Sequence, residues 1–187
     1  MLRPDQIERH AKKLLDEVGT KSPPVPVKEI AEKLGVKVIF NPHDGDISGA
    51  LHRNGELLVI GVNENDPEVR QRFTIAHEIG HLRLHDDPMH VDRWHYPDKL
   101  PSRTVSKALQ SFLRNTESSQ ASDPREIEAN RFAAALLIPV QFLARSFKSP
   151  RPPLKEIDVR SLAEEYQVSQ QAMTFRLINL GIPVESA

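Results

Sequence analysis

Gln71-Arg72-Phe73-Thr74-Ile75-Ala76-His77-Glu78-Ile79-Gly80-His81 is the stretch on which the reading of this chain turns. Its last five residues fit the pattern H-E-x-x-H. Histidines four positions apart lie on one face of a helix, so both imidazoles can address a single metal ion. Zinc accepts imidazole nitrogen well, and a catalytic zinc uses three protein ligands and keeps the fourth position for water. Glu78, next to the first histidine, is then the candidate general base that takes the proton of that water as it attacks a carbonyl. A chain of this composition yields about 0.03 such matches by chance, so the bland reading of two solvated histidines carries little weight.

The surroundings support a helix. Asp66 is placed to cap it and Pro67 to occupy its first position, where a missing N–H costs nothing. The periodic apolar residues Val69, Phe73, Ile75, Ala76 and Ile79 are available for a core, and the helix is expected to run to about His85. Gly80 in mid-helix costs roughly 1 kcal/mol against alanine, which points to a close approach by another backbone or by the metal centre. The same opening recurs at Asp123-Pro124, starting a helix that must end by Pro139.

A third ligand has to come from elsewhere. Glu126, in the first turn of the second helix, is the leading candidate. Asn130 lies one turn on and faces the same way, placed to orient a ligating histidine. Glu128 lies about 160° around that helix and reads as solvated or paired with an arginine. His85 extends the His77–His81 stripe and is the rival ligand; otherwise it is a histidine favoured by the helix dipole. His90 and His95 fall in a loop-rich stretch from His90 to Ala121, where they could assist the transition state or simply face solvent. A short helix is expected near 105–112 and a polar segment at 115–122.

Working toward the N-terminus, Ile7, Ala11, Leu14, Leu15 and Val18 give a helix from Pro4 to Val18 one apolar face, and Gly19 is its stop. After the proline-rich joint Ser22–Pro26 come a short helix from Val27 to Leu34 and a strand at Val36–Phe40. Segments Ser48–Arg53 and Glu56–Val62 flank Asn54-Gly55, a pair that favours a tight hairpin turn. The expected fold class is therefore α+β with a small, largely antiparallel sheet. Toward the C-terminus, Ser149-Pro150-Arg151-Pro152-Pro153 reads as a stiff linker, and Val159–Tyr166 and Ser169–Leu180 as two helices at helix-turn-helix spacing. The expected division is a catalytic domain over 1–148 and a helical region over 149–187.

Composition narrows the class. With no cysteine among 187 residues, disulfide frameworks, thiol nucleophiles and thiolate-bound metal are excluded, and a reducing compartment fits. Neither a signal-peptide apolar region nor a run near the ~18 apolar residues of a bilayer span is read, so a cytoplasmic location with no membrane is expected. A net charge of -1 offers nothing to nucleic acid.

The block Gln71–His81 resembles the ImmA/IrrE metallo-endopeptidases, as does Glu126-Ile127-Glu128-Ala129-Asn130-Arg131-Phe132 through Pro139. So does the tail from Leu162 to Met173. The resemblance implies a zincin-like, gluzincin fold built on the HExxH helix. It assigns one zinc ion to His77, His81 and Glu126 and the base role to Glu78. It also implies the substrate, a helix-turn-helix (XRE-type) repressor of a mobile-element or stress operon. The chain departs from the pattern in Ile138, where methionine is common, and in a long segment between His85 and Asp123. By ligand type alone, manganese or iron could also occupy two histidines and a carboxylate.

The alternative is a non-proteolytic regulator, binding DNA or held in a toxin–antitoxin pair, with a structural metal. Structural zinc is usually closed by four protein ligands. From Lys155 to Ala187 there are only three Lys or Arg against five acids, too few cations for a phosphate reader. The tail is expected to pack or to dock a repressor.

Overall fold

The apolar stripe of the first segment does form a helix, α1 (Pro4–Val18), with Ile7, Ala11, Leu14 and Leu15 buried. Gly19 ends it at φ 77°, a left-handed conformation that side chains resist. A computed structural model of the chain describes residues 1–42, 49–54, 57–85, 89–92, 123–147 and 153–185. The expected short helix near 105–112, the polar run 115–122, linker residues 149–152, the turn at 55–56 and His95 lie outside them. Helix α2 (Val27–Lys33) leads into strand β1 (Val36–Asn41), followed by β2 (Gly49–Asn54) and β3 (Leu57–Asn63).

These strands and a fourth, β4 (Met89–Asp92), form one sheet in the order β1-β3-β2-β4. The β2–β3 and β2–β4 pairs are antiparallel and the β1–β3 pair is parallel. Leu51 lies opposite Ile60 in the hairpin, and both are buried, as are Val36 and Val62. Strand β4 corrects the sequence reading, which left His90 in a loop. His90 instead pairs in register with Leu51. Four residues are too short to show a strand period; they become a strand because β2 has an open edge to pair with.

Helix α3 (Glu68–Leu84) carries the H-E-x-x-H residues and packs on β2, β3, α2 and, most extensively, on α4 (Pro124–Leu137). Its start differs from the expectation by one residue. Pro67 (φ -55°, ψ 147°) is the N-cap, and no side chain caps it. Asp66 turns instead toward Arg70, 3.4 Å from Nε, and its carbonyl accepts from Gln71 Nε2 at 2.8 Å. Helix α4 begins as read, with the Asp123 carboxylate accepting from the Arg125 N–H at 2.9 Å. Such a cap contributes on the order of 1 kcal/mol.

Pro139 stops α4 and at once caps a short helix, α5 (Val140–Ser146), that the sequence reading did not separate. Together they form an apolar stretch, Pro124–Ser146, long enough by composition to cross a bilayer, yet 61% of its apolar window is buried inside the protein. It is a core element. Phe132, Ala133 and Leu136 are fully buried in the same cluster as Ile79 and the α1 face, and each large side chain so placed contributes about 1.5–3 kcal/mol.

Helices α6 (Glu156–Tyr166) and α7 (Gln170–Asn179) follow, with Gln167 at φ 51° between them and Ser169 capping the second. Tyr166, Met173 and Leu177 bury their side chains in that cluster too. Arg176, 5% exposed, donates to Ile138 O at 3.0 Å and reaches both Glu8 carboxylate oxygens, so it ties α7 to α1 and to the end of α4. Arg72 plays a similar part at the other end, donating to Gln167 O at 3.1 Å and to Val25 O at 2.9 Å.

Candidate metal centre

The site forms where α3 crosses α4. Gly80 lets the two helices meet: a methyl group there would lie 3.1 Å from Ala129 Cα and 3.2 Å from Ala129 O. The close approach expected from the glycine is therefore to another backbone. It sets the first turn of α4 against the middle of α3, which points the Glu126 side chain at the two histidines.

The donor atoms of His77, His81 and Glu126 all lie within 4.8 Å of one another. His77 Nε2 is 3.3 Å from Glu126 Oε2, His81 Nε2 is 3.2 Å from Glu126 Oε1, and the two Nε2 atoms are 2.9 Å apart. All three residues are buried, the histidines at 1% exposure. His77 Nδ1 lies 3.0 Å from Asn130 Oδ1. An amide oxygen only accepts, so the His77 proton is on Nδ1 and the Nε2 lone pair faces the site.

The Nε2 lone pair of His77, the Nε2 atom of His81 and a carboxylate thus converge on one point, an arrangement that a cation between them stabilises. Tetrahedral zinc at ordinary bond lengths would hold its ligand atoms about 3.3 Å apart. The observed 2.9–3.3 Å edges match this to within a few tenths of an ångström. The donor set fits zinc, and it equally admits manganese or iron.

Glu78 is fully buried one residue from His77. Its carboxylate lies under the first residue of β2, where a methyl group on Gly49 would collide with Thr74 Cγ2 and come 3.4 Å from Glu78 Oε1. Glycine is needed at that position because the Thr74 methyl already occupies the place a Cβ would take.

Two expectations change here. Glu128 is neither solvated nor paired with an arginine. It is 5% exposed, its Oε2 lies 3.0 Å from His85 Nε2, and its Oε1 accepts from the Leu2 N–H. The reason is that α4 lies between α3 and α1, so the face opposite Glu126 meets the start of the chain and not water. Burial pushes the Glu128 carboxyl up, but the bonds from His85 and Leu2 outweigh it and hold the group below its ordinary value. His85 does not join the three converging donors. It stands behind His81, with the two Nδ1 atoms 3.1 Å apart. Periodicity flagged His85; no local signal could have paired it with Glu128, 43 residues away.

A family model described as the IrrE N-terminal-like domain, of the peptidase class, matches residues 31–177. A search of curated protein sequences found no match. Among solved structures, a Mycobacterium tuberculosis transcriptional regulator superposes with a TM-score of 0.56 at 16% identity, covering 92% of this chain and 46% of that one. The chain spans about half the length of that structure, and the likeness is one of fold.

Proposed function

The chain belongs to the peptidase family of the IrrE N-terminal-like domain, and from that premise we propose that it is a zinc-dependent endopeptidase of zincin (gluzincin) type. The observation that carries this is the convergence of His77, His81 and Glu126 donor atoms within 4.8 Å, with buried Glu78 alongside.

In this reading His77 Nε2, His81 Nε2 and the Glu126 carboxylate hold the ion, and Asn130 orients His77 by accepting from its Nδ1–H. Bound there, zinc supplies Lewis acidity that activates water and polarises the scissile carbonyl. Glu78 accepts the proton of the attacking water, holds it on its carboxylate, and passes it to the departing amide nitrogen. Burial of Glu78 keeps bulk water from competing for that proton. Residues 1–148 form the catalytic part.

The substrate we infer is a helix-turn-helix (XRE-type) repressor of a mobile-element or stress operon, cut in the cytoplasm, where a chain without cysteine is at home. The M. tuberculosis structure is named a transcriptional regulator, a name in keeping with this class. Residues 149–187 serve to dock the substrate or to pack, not to read DNA. Arg176, the single Lys or Arg on α7, is engaged by Glu8 and Ile138 O and is not available to a phosphate.

The test is incubation of the zinc-loaded protein with the helix-turn-helix repressor encoded beside it, comparing wild type with Glu78→Gln. Discrete repressor fragments from wild type alone, with the variant retaining its metal, support the proposal. Equal cutting by the variant removes Glu78 from the mechanism. A stable complex without cleavage by either protein favours the binding-partner reading.

A further inference from the structure

We propose that His85 and Glu128 are positioning residues, a hydrogen-bonded chain that fixes the tautomer and ring orientation of His81. The inference rests on the metal-site reading above and extends it to two residues outside the three donors.

Glu128 Oε2 can only accept, so the 3.0 Å contact with His85 Nε2 places a proton on that nitrogen. In the neutral ring the other nitrogen, Nδ1, is then an acceptor. It faces His81 Nδ1 at 3.1 Å, which must therefore carry the proton of that bond. His81 in turn is left with a bare Nε2, the atom that points at Glu126 and His77. Each link thus dictates the next, and the chain ends with a lone pair aimed into the site.

The anchor of the chain is itself held. Glu128 Oε1 accepts from the Leu2 N–H and lies 4.0 Å from the Met1 ammonium, so both carboxylate oxygens are engaged. Side-chain exposure is 8% for His85 and 7% for Glu128, which shields these bonds from water. His77 receives the equivalent service from one residue, Asn130. The two histidines of the motif are therefore oriented from the same helix, α4, by different means: an amide directly, and a carboxylate through a second imidazole. Glu126, Glu128 and Asn130 thus give α4 one face toward the ion and another toward its support.

The experiment uses the full chain. Zinc affinity is measured by competition with a chromophoric chelator for wild type, His77→Ala, His85→Leu, His85→Gln and Glu128→Gln. The cobalt-substituted proteins are compared by their visible d–d spectra, and the metal-free proteins by thermal melting. His85→Leu should weaken zinc by about 10–100-fold, the usual effect of losing a ligand's outer partner, and should alter the cobalt spectrum. His85→Gln, whose amide oxygen can accept from His81 Nδ1–H, should recover most of the affinity. Glu128→Gln, which keeps an oxygen but loses the charge, should fall between them. Wild-type affinity and an unaltered spectrum in His85→Leu would overturn the proposal. So would a glutamine variant as weak as the leucine one while melting at the wild-type temperature, and this arm stands even where His85→Leu does not fold. If wild type takes up no zinc, or His77→Ala binds it as well as wild type does, the metal-site reading itself fails.

Discussion

Replacing Gly80 by alanine isolates the contact that builds the site. The new methyl group would lie 3.1 Å from Ala129 Cα, 3.2 Å from Ala129 O and 3.3 Å from Phe132 Cδ1. Carbon atoms in ordinary contact sit about 3.5–4.0 Å apart, so α3 and α4 must part by roughly 0.4 Å or more at this point. Two of the three obstacles are backbone atoms of a helix and cannot swing aside. Overpacking of this kind costs about 1–3 kcal/mol. Alanine offsets roughly 1 kcal/mol of that through its better helix propensity. The net expectation is a loss of about 1 kcal/mol, seen as a Tm lower by roughly 2–4 °C. Glu126 lies on the helix that must retreat, so zinc affinity should fall with it. Thermal melting of the metal-free protein and a chelator competition measure the two effects separately. A Gly80→Ala protein with a raised Tm and unaltered zinc affinity would refute the reasoning, because it would show that α4 yields without cost.

Glu126→Ala should lower zinc affinity by more than the roughly 10–100-fold expected for losing an outer partner; full affinity there, with a deficit in Glu128→Ala, would reverse the ligand assignment. Arg176→Met strips the Ile138 carbonyl of its donor and Glu8 of its partner. Since Glu8 is 34% exposed, most of the cost comes from the buried carbonyl, about 1–3 kcal/mol, and an unshifted urea midpoint would show that the tie is idle. Burial holds the Tyr166 hydroxyl above its ordinary value of 10.0, with Glu165 adding to the shift against the bond from Ser146. A raised pKa stabilises the folded state fully below the unfolded value and less as pH climbs past it, so stability should decline above about pH 10. Ultraviolet titration should find one of the two tyrosines ionising late, and late ionisation that persists in Tyr166→Phe would assign it elsewhere.

The local elements and the residues that carry the chemistry were legible in the order of amino acids alone. The apolar face and Gly19 mark α1, and Asp123-Pro124 marks the start of α4. These signals are legible because capping, turn chemistry and helical periodicity act within a few residues of chain. The same periodicity put His77 with His81, and Glu126 with Asn130, on single helix faces before their partners were known.

Which faces meet was settled by packing between distant segments. Glu128 reads as solvated or paired with an arginine because its helix face opposes Glu126, yet Leu2, just ahead of α1, meets that face and His85 is its partner. Arg176 is one of three cations in the tail from Lys155 onward, and packing makes it a buried tie to a residue 168 positions away. β4 exists because β2 offers an unpaired edge, and β1 lies parallel to β3 because the hairpin places β3 beside it. Each of these depends on contacts between distant segments, whose free energy comes from the burial and hydrogen bonding of both partners together. Neither partner carries that information in its own neighbourhood.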